Sequence, residues 1–323
     1  VAVAVAILWR TRGTTAAANA DLRLGVAVVT ALLAFALRAG VLSLLAVQWG
    51  WPPLVSIVPA ALAGALAGGL GVAHIAFVPR AGDPATVWRA AALLGIAYLL
   101  ALRLVYLGQL ELIPQEAYYW NYAQHLDIGY LDHPPLTAWL IALATSLRDG
   151  EFFVRLPALI SWCVMAAYAT LYAHDAAGPA VALRTALLAS ALPFFFLVGW
   201  LMTPDAPLAA AWAAALYYLQ RALIDGRSRA WIGAGAAIGV GMLSKYSMIL
   251  VPAAAFAFVL LDARSRRVLV SPWAWAGVAV ALAVFAPVIV WNVQHDWASF
   301  TFQGARRLAT SDVWVADDDS VIR

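Results

Sequence analysis

Long apolar stretches alternate with short polar intervals along most of the chain. Many of the apolar stretches reach roughly 20 residues, the length that crosses a hydrocarbon core of about 30 Å. Only helices can bury so much backbone in lipid, because each amide must find its partner within its own segment. The pattern therefore predicts an all-α polytopic membrane protein. The predicted spans are 24–48, 54–79, 87–108, 153–173, 181–201, 206–222, 231–244, 247–261 and 272–291.

The composition agrees with a membrane protein and excludes several other classes. Hydrophobic residues make up 64% of the 323 positions and charged residues 11%, whereas about 25% of residues are charged in soluble domains. The net charge of +3 is small and scattered, so no nucleic acid partner is expected. Cys163 is the only cysteine, which excludes a disulfide within the chain. Because the chain starts at Val1 and ends in a polar stretch, we expect both ends to be truncated.

The charges outside the spans predict the orientation in the membrane. The basic loops 221–229 and 264–267 flank two short spans, and positively charged loops favour the cytoplasm. The short spans then form a hairpin whose tip, Lys245, faces outward. The interval 109–147 contains four acids and no Lys or Arg, so it is predicted to be external. Its apolar second half, 134–147, is too short to span and is predicted to lie along the interface as a juxtamembrane helix.

This orientation brings separate polar segments to one face of the membrane. They are the loop 109–134, the segments 148–155, 202–205 and 292–297, and the tip at Lys245. Five such segments on one face predict an assembled functional site. His74 is alone within an apolar span and is interpreted as a packing residue.

Glu116 is the first candidate catalytic residue. Its neighbours Tyr118, Tyr119 and Trp120 provide partly apolar surroundings, and such burial raises the pKa of a carboxyl and strengthens it as a base. The alternative is a solvated acid beside an aromatic belt, because Trp and Tyr are enriched at the membrane interface.

The segment Asp132-His133-Pro134-Pro135 is the second candidate, because its prolines fix the backbone after two potential ligands. Asp and His suit a divalent ion, although most metal sites use three or four protein ligands. The alternative is that Asp132 caps the helix that follows.

Several further polar residues have a functional and a structural interpretation. Lys245 is the only lysine and suits a lipid phosphate, or it extends to the membrane surface without a specific partner. Arg155 is a similar phosphate candidate. Asp205 suits a helix N-cap, and His295 and Asp296 suit a polar helix end.

The motifs together resemble a known family. The runs Pro114-Gln115-Glu116-Ala117-Tyr118-Tyr119-Trp120, Asp132-His133-Pro134-Pro135 and Val154-Arg155-Leu156-Pro157 are similar to the first external loop of the glycosyltransferase family 39 membrane enzymes. These are relatives of the protein O-mannosyltransferases and the lipid A aminoarabinose transferases. The resemblance covers residues 86–303 and also includes the following runs: Met202-Thr203-Pro204-Asp205, Leu243-Ser244-Lys245-Tyr246 and Trp291-Asn292-Val293-Gln294-His295-Asp296-Trp297.

The resemblance implies a GT-C fold in the bacterial cytoplasmic membrane. The enzyme would transfer a sugar from a polyprenyl-phosphate donor, with inversion, on the extracytoplasmic side. The acceptor would be a protein, lipid or glycan, and the surrounding membrane lipids are further partners. The rival function is a non-catalytic flippase or transporter of such lipids, which would place charges near the bilayer midplane between repeated halves.

The resemblance also implies roles for individual residues. Glu116 would be the base, because Gln115 replaces the acid that the family often has there, and Asp132 would be the second acid. Lys245 and Arg155 would bind the donor phosphate. A divalent ion at Asp132 and His133 is the only candidate cofactor. The sugar or the acceptor would contact Tyr118, Tyr119, Trp120, His133, Asp205, His295 and Asp296.

The N-terminal part resembles a different family. The two spans within 24–79 are similar to the later part of a GtrA-like small membrane domain, which is associated with polyprenyl-phosphate sugars. The predicted domains are therefore an N-terminal membrane segment, 1–80, a GT-C glycosyltransferase domain, 86–303, and a polar tail, 304–323.

Overall fold

The protein is described from a computed structural model that covers residues 17–71 and 84–308, with side chains for 27–71 and 89–304. His74 and the part of the predicted tail beyond residue 308 lie outside these ranges. No strand occurs among the described residues, so the predicted all-α class is confirmed. The helices are α1 (Ala17–Ser43), α2 (Pro53–Gly71), α3 (Pro84–Tyr106), α4 (Pro114–Gln124), α5 (Leu136–Thr145), α6 (Glu151–Ala177), α7 (Pro179–Ala191), α8 (Pro193–Val198), α9 (Asp205–Leu219), α10 (Ala230–Ser244), α11 (Leu250–Leu261), α12 (Pro272–Gln294) and α13 (Ala298–Leu308).

Five segments in the described part of the chain are long and apolar enough to cross a membrane, and the chain is a multi-pass membrane protein. They agree with five of the nine predicted spans. The segments are Ala27–Gln48, Pro53–Gly71, Arg89–Tyr106, Glu151–Ala177 and Pro272–Gln294.

Three of the other four predicted spans are shorter helices, and the fourth, 206–222, falls on α9, which continues through a π-helical turn to Ile224. The predicted span 181–201 is interrupted at Leu192, which is extended with φ −66° and ψ 133°. Pro193 explains the interruption, because proline disfavours the helical conformation of the residue before it. Lys245 likewise separates α10 from the next helical turn, in extended backbone with φ −156°. The helix thus ends at the residue predicted as the tip of a hairpin, and the hairpin itself and its outward orientation stay predictions.

The described residues form two compact units. The first contains the described residues up to Ala117 together with Ala144–Met202. In it, α1 packs against α2 and α3, and α7 packs against α6 and α3. The hydroxyl groups of Tyr98 and Tyr106 donate hydrogen bonds to the carbonyl oxygens of Leu33 and Ala36, at 2.9 Å each, and so join α3 to α1.

The second unit contains Tyr118–Leu143 and the described residues from Thr203 onward. In it, α10 packs against α9 and α12. The approach of α10 to α12 is close, because a Cβ atom on Gly235 would lie 2.0 Å from the carbonyl oxygen of Gly277. Small residues allow this backbone contact between membrane helices.

The predicted juxtamembrane segment forms the helix α5. Leu136 and Trp139 of α5 pack against a core of Leu243, Phe285 and Val288, contributed by α10 and α12. The apolar face of α5 that belongs to the second unit is therefore buried against protein.

Candidate functional site

Glu116 lies in the first turn of α4 and forms a fully buried ion pair with Arg155 of α6, within the first unit. Arg155 Nε donates to Glu116 Oε1 at 2.9 Å, and Arg155 Nη2 donates to Oε2 at 2.7 Å. Two backbone amides also donate to the carboxylate, from Met202 at 3.0 Å and Ile113 at 3.2 Å. Each carboxylate oxygen thus accepts two hydrogen bonds.

Arg155 is satisfied as completely as Glu116. A guanidinium has five N–H donors, and two of them serve Glu116. The other three donate to the carbonyl oxygens of Leu107 at 3.1 Å, Leu110 at 2.7 Å and Glu111 at 2.9 Å. The geometry therefore gives Arg155 no free donor for a phosphate and Glu116 no free lone pair for a proton. Their predicted roles as phosphate ligand and base stay predictions, and the contacts favour a positioning role for both.

Asp132 is the centre of a second cluster, within the second unit. The phenol groups of Tyr118 and Tyr122 donate to its two oxygens, to Oδ2 at 2.8 Å and to Oδ1 at 2.6 Å. These tyrosines are four positions apart on α4, so they share one face of the helix. The Asp132 backbone is also fixed, because the amide of Gln303 in α13 donates to its carbonyl oxygen.

His133 is held between Asp132 and Tyr119. Its Nδ1 lies 2.9 Å from Asp132 Oδ2, and its Nε2 lies 3.2 Å from the Tyr119 hydroxyl oxygen. An ionised carboxylate only accepts hydrogen bonds, so Nδ1 carries a proton. In the neutral imidazole Nε2 is then the acceptor. The His133 side chain keeps 22% of its surface exposed, which leaves the ring accessible to a ligand.

Electrostatics keep Asp132 ionised. Burial favours the neutral carboxyl, but the hydrogen bonds from His133, Tyr122 and Tyr118 outweigh burial and hold the pKa of Asp132 well below its usual range. Burial and the hydrogen bond to Asp132 raise the pKa of Tyr122 well above its usual range. The cluster therefore contains a stable carboxylate beside neutral phenols.

The rest of the loop is fixed to α12. Trp291 Nε1 donates to Asp127 Oδ2 at 3.0 Å. Gly129 lies directly over the same indole, because a Cβ atom there would be 2.6 Å from Trp291. The rings of Tyr122 and Tyr130 stack at 4.1 Å. These contacts hold the loop in the conformation that presents Asp132 and His133.

Lys245 forms an ion pair with Asp205, also within the second unit. The distance from Lys245 Nζ to Asp205 Oδ1 is 2.8 Å, and 37% and 45% of the two side chains are exposed. Ser244 Oγ donates to the Pro204 carbonyl oxygen at 2.6 Å, which joins the two backbones beside the pair. The next residue, Tyr246, packs against the same apolar core as Leu136, which lies four positions after Asp132. The second unit thus brings the lysine turn near the Asp132 cluster.

Other predicted site residues lie at the surface. The ring of Trp120 is 40% exposed. His295 stacks on Trp291 and its Nδ1 donates to the Trp291 carbonyl oxygen at 2.8 Å. Asp296 follows in a left-handed turn with φ 51°. His295 and Asp296 therefore occupy an exposed corner between α12 and α13, as the structural interpretation predicted.

The capping interpretation of Asp205 stays an interpretation, and that of Asp132 is wrong. Asp205 is the first residue of α9, and its carboxylate accepts a hydrogen bond from Lys245 Nζ. Asp132 accepts bonds from Tyr118, Tyr122 and His133 rather than from the first turn of α5.

The contacts of Asp132 and His133 do not fit a bound divalent ion. Both imidazole nitrogens and both carboxylate oxygens already have protein partners. No group of three or more His, Cys, Asp or Glu side chains suited to a metal occurs among the described residues.

Sequence reasoning missed several residues of the cluster. Tyr122 could have been found from its spacing of four positions after Tyr118 on a helix. Gln303 carries no such signal, because it reaches Asp132 from a distant segment. Asp127 lies in the same loop as Asp132, but its partner Trp291 is 164 positions away.

Comparison with known proteins supports the predicted resemblance. Residues 132–291 match the family model described as dolichyl-phosphate-mannose-protein mannosyltransferase. This region belongs to that family. The mannosyltransferase-family region begins at Asp132 and includes His133, Arg155, Asp205 and Lys245. The GtrA-like resemblance of 24–79 stays a prediction.

A curated relative is the lipid A galacturonosyltransferase RgtD of Rhizobium johnstonii (strain DSM 114642 / LMG 32736 / 3841). It is 31% identical over 194 residues, which are 56% of this chain and 38% of the relative. The chain therefore spans well under half of the relative's length. No solved structure matches the chain.

Proposed function

We propose that the protein is a membrane glycosyltransferase that moves a sugar from a polyprenyl-phosphate donor to an acceptor on the outer face of the bacterial cytoplasmic membrane. This proposal rests on the arrangement of Asp132, His133 and Tyr119. Asp132 and His133 lie in the mannosyltransferase-family region, and Tyr119 lies in α4, which precedes that region in the sequence. A carboxylate that orients an imidazole, whose second nitrogen faces a hydroxyl, is a geometry suited to general base catalysis.

Asp132 is the loop carboxylate of the mechanism and acts through His133. It holds the Nδ1–H of the imidazole, so Nε2 accepts the proton of the acceptor hydroxyl. That hydroxyl takes the place of the Tyr119 phenol, whose contact of 3.2 Å is long for a hydrogen bond to nitrogen. The acceptor oxygen then bonds to the anomeric carbon as the bond to the phosphate oxygen breaks. The phosphate leaves with the electron pair, and the anomeric centre is inverted.

Lys245 is the proposed ligand of the donor phosphate. Its ion pair with Asp205 is more than one third exposed at both partners, so it is worth no more than about 1 kcal/mol. The singly charged phosphodiester of the donor can therefore displace Asp205 at small cost, and Lys245 then also faces the second negative charge that the phosphate gains as it leaves. The neighbouring Tyr246 and Leu136, which follows Asp132 by four positions, pack against the same core, and this supports a phosphate site beside the acid–base pair.

Tyr118 and Tyr122 complete the sugar site in this proposal. The ring of Tyr118 is 42% exposed and can contact a sugar face, while its hydroxyl fixes Asp132. Trp120, also exposed, is a second candidate contact on α4.

The acceptor is proposed to be a glycolipid. The relative from Rhizobium is named for transfer to lipid A, and an acceptor anchored in the membrane would reach a site at the membrane surface. Transfer of a hexuronic acid is the corresponding proposal for the donor sugar.

The test is transfer by the full-length protein in proteoliposomes. Polyprenyl-phosphate sugars and a lipid A acceptor are supplied, and the product is measured by mass spectrometry. His133→Gln should abolish product, whereas His125→Gln, an exposed histidine of the same loop, should leave it unchanged. Full transfer by His133→Gln would exclude the histidine as base. Movement of the lipid-linked sugar across the bilayer without product would instead favour the flippase.

A further inference from the structure

A cavity with several polar side chains in its walls lies in the first unit, and none of the residues assigned to transfer lines it. It has a volume of about 370 Å³, which is within the range of small-molecule pockets. Three chain segments line it, at the end of α1, after α3 and at the start of α6: 47–49, 108–111 and 148–153. The cavity therefore depends on the N-terminal helices, which lie outside the mannosyltransferase-family region.

The walls of this cavity are held by specific contacts. Arg148 Nη2 donates to the Gln48 carbonyl oxygen at 3.3 Å, which joins two of the three segments. The rings of Trp49 and Phe152 meet edge to face at 6.4 Å. Gly108 allows Gln48 and Phe152 to lie close to its own backbone, because a Cβ atom on Gly108 would be 2.8 Å from Gln48 Oε1 and from the Phe152 backbone.

The side-chain amide of Gln48 is an unusual feature of the wall. Both its oxygen and its nitrogen are buried, and neither has a hydrogen-bond partner within the described residues. A buried polar group without a partner is unfavourable, so such groups in native proteins nearly always have a protein, water or ligand partner. The amide has one acceptor and two donors, a combination that matches sugar hydroxyl groups, and a rotation of the Gln48 side chain would bring them to a sugar in the cavity.

The charges of the cavity indicate which ligands it favours. Three carboxylates line it, from Glu111, Asp149 and Glu151, against the single guanidinium of Arg148. Carboxylates accept hydrogen bonds from hydroxyl and amino groups and repel anions. An exposed indole, that of Trp49, can contact the apolar face of a sugar ring.

We propose that this cavity is a carbohydrate-binding site for a neutral or amino sugar unit. It is separate from the transfer chemistry, because none of its lining residues belongs to the Asp132 cluster or to the Lys245–Asp205 pair. Its role would be to hold a part of a glycan that does not react.

The experiment measures binding rather than transfer. Saturation-transfer difference NMR is recorded on the full-length protein in nanodiscs with N-acetylglucosamine, glucosamine and galacturonate. The neutral and amino sugars should bind in preference to the anionic one. Trp49→Ala and Gln48→Leu should each weaken binding about tenfold. Trp51→Ala removes an exposed indole that does not line the cavity and should have no effect.

Two controls separate the possible outcomes. Gln48→Leu removes an unpaired buried amide, so the variant should be at least as heat-stable as the parent while it binds less sugar. His133→Gln should retain full sugar binding even if transfer is lost. The proposal is overturned if the parent protein binds none of the sugars, prefers galacturonate, binds equally in all variants, or loses binding in His133→Gln.

Discussion

Arg155 and Glu116 satisfy each other through two parallel hydrogen bonds of 2.9 and 2.7 Å, in a site that is closed to solvent. The pair joins the first turn of α4 to α6, although its members are 39 positions apart in the sequence. A buried pair of this kind is destabilising when one partner is removed, because the other charge is left without compensation.

Glu116→Gln is expected to lower the free energy of unfolding by about 3 kcal/mol, because the amide nitrogen replaces an oxygen that accepts two of the four hydrogen bonds with a group that only donates. Arg155→Lys should destabilise by a similar amount, since an ammonium cannot reproduce the five-donor fork. Unfolding in detergent with increasing SDS measures both. Gln115→Ala, at an exposed position of the same turn, is the control. A Glu116→Gln protein with parental stability and no transfer would restore Glu116 as the base.

Asp132 should give the protein an acid-sensitive stability. Its pKa is lowered on folding, so the stability that it contributes is present above the unfolded pKa of about 3.9 and is lost as the pH falls toward the folded pKa. Between pH 5 and 8, by the same reference value of about 3.9, the contribution should be constant. Asp132→Asn should reduce stability at neutral pH and flatten the acid side of the profile. Melting temperatures from pH 3 to 8 test this, and identical pH profiles for both proteins would contradict it.

Lys245→Met should raise the KM for the polyprenyl-phosphate donor about tenfold, the effect of losing one charge-assisted hydrogen bond. Stability should change by less than about 1 kcal/mol, because the pair with Asp205 is well exposed. Transfer kinetics and thermal unfolding are measured on the same preparation. Arg229→Met, which removes an exposed cation from another loop, is the matched variant. An unchanged KM would contradict a role of Lys245 in donor binding and would favour the alternative, in which its side chain only extends to the membrane surface.

Gly235→Leu should destabilise the second unit by about 3 kcal/mol, because the new side chain has no space between α10 and α12. Gly69→Ala is the control, since a Cβ atom at that helical position meets nothing within 4 Å. Its effect should stay within about 1 kcal/mol. SDS unfolding compares the two. Equal stability of both variants would show that α10 and α12 are not in close contact at Gly235 in the membrane.

The predicted orientation can be tested by cysteine labelling in a Cys163→Ala background. A membrane-impermeant maleimide should label Leu131→Cys and Ser247→Cys in intact cells. Ser228→Cys, in a basic loop, should react only after permeabilisation. Labelling of positions 131 and 247 from opposite sides would separate the Asp132 loop from the lysine turn and contradict the proposed function.

The helical class and much of the element order follow from local pattern. The long apolar runs identify the five membrane-crossing segments to within a few residues, except at the end of the predicted span 54–79, where 72–79 lie outside the described residues. The polar Lys245 between two apolar runs marks where α10 ends. The span predicted over 181–201 failed because hydropathy does not register Pro193, whose effect on Leu192 ends α7.

The sequence by itself determined that this is a multi-pass helical membrane protein, and its ordered motifs identified the family of residues 132–291. Only the tertiary structure decided the partners of the charged residues. It paired Glu116 with Arg155 and Asp205 with Lys245 and placed His133 between Asp132 and Tyr119. The physical reason is that the hydrophobic periodicity of a segment shows only which face of its own helix is apolar. An ion pair also depends on which distant helix packs against that face and on the direction of the side chains of both helices.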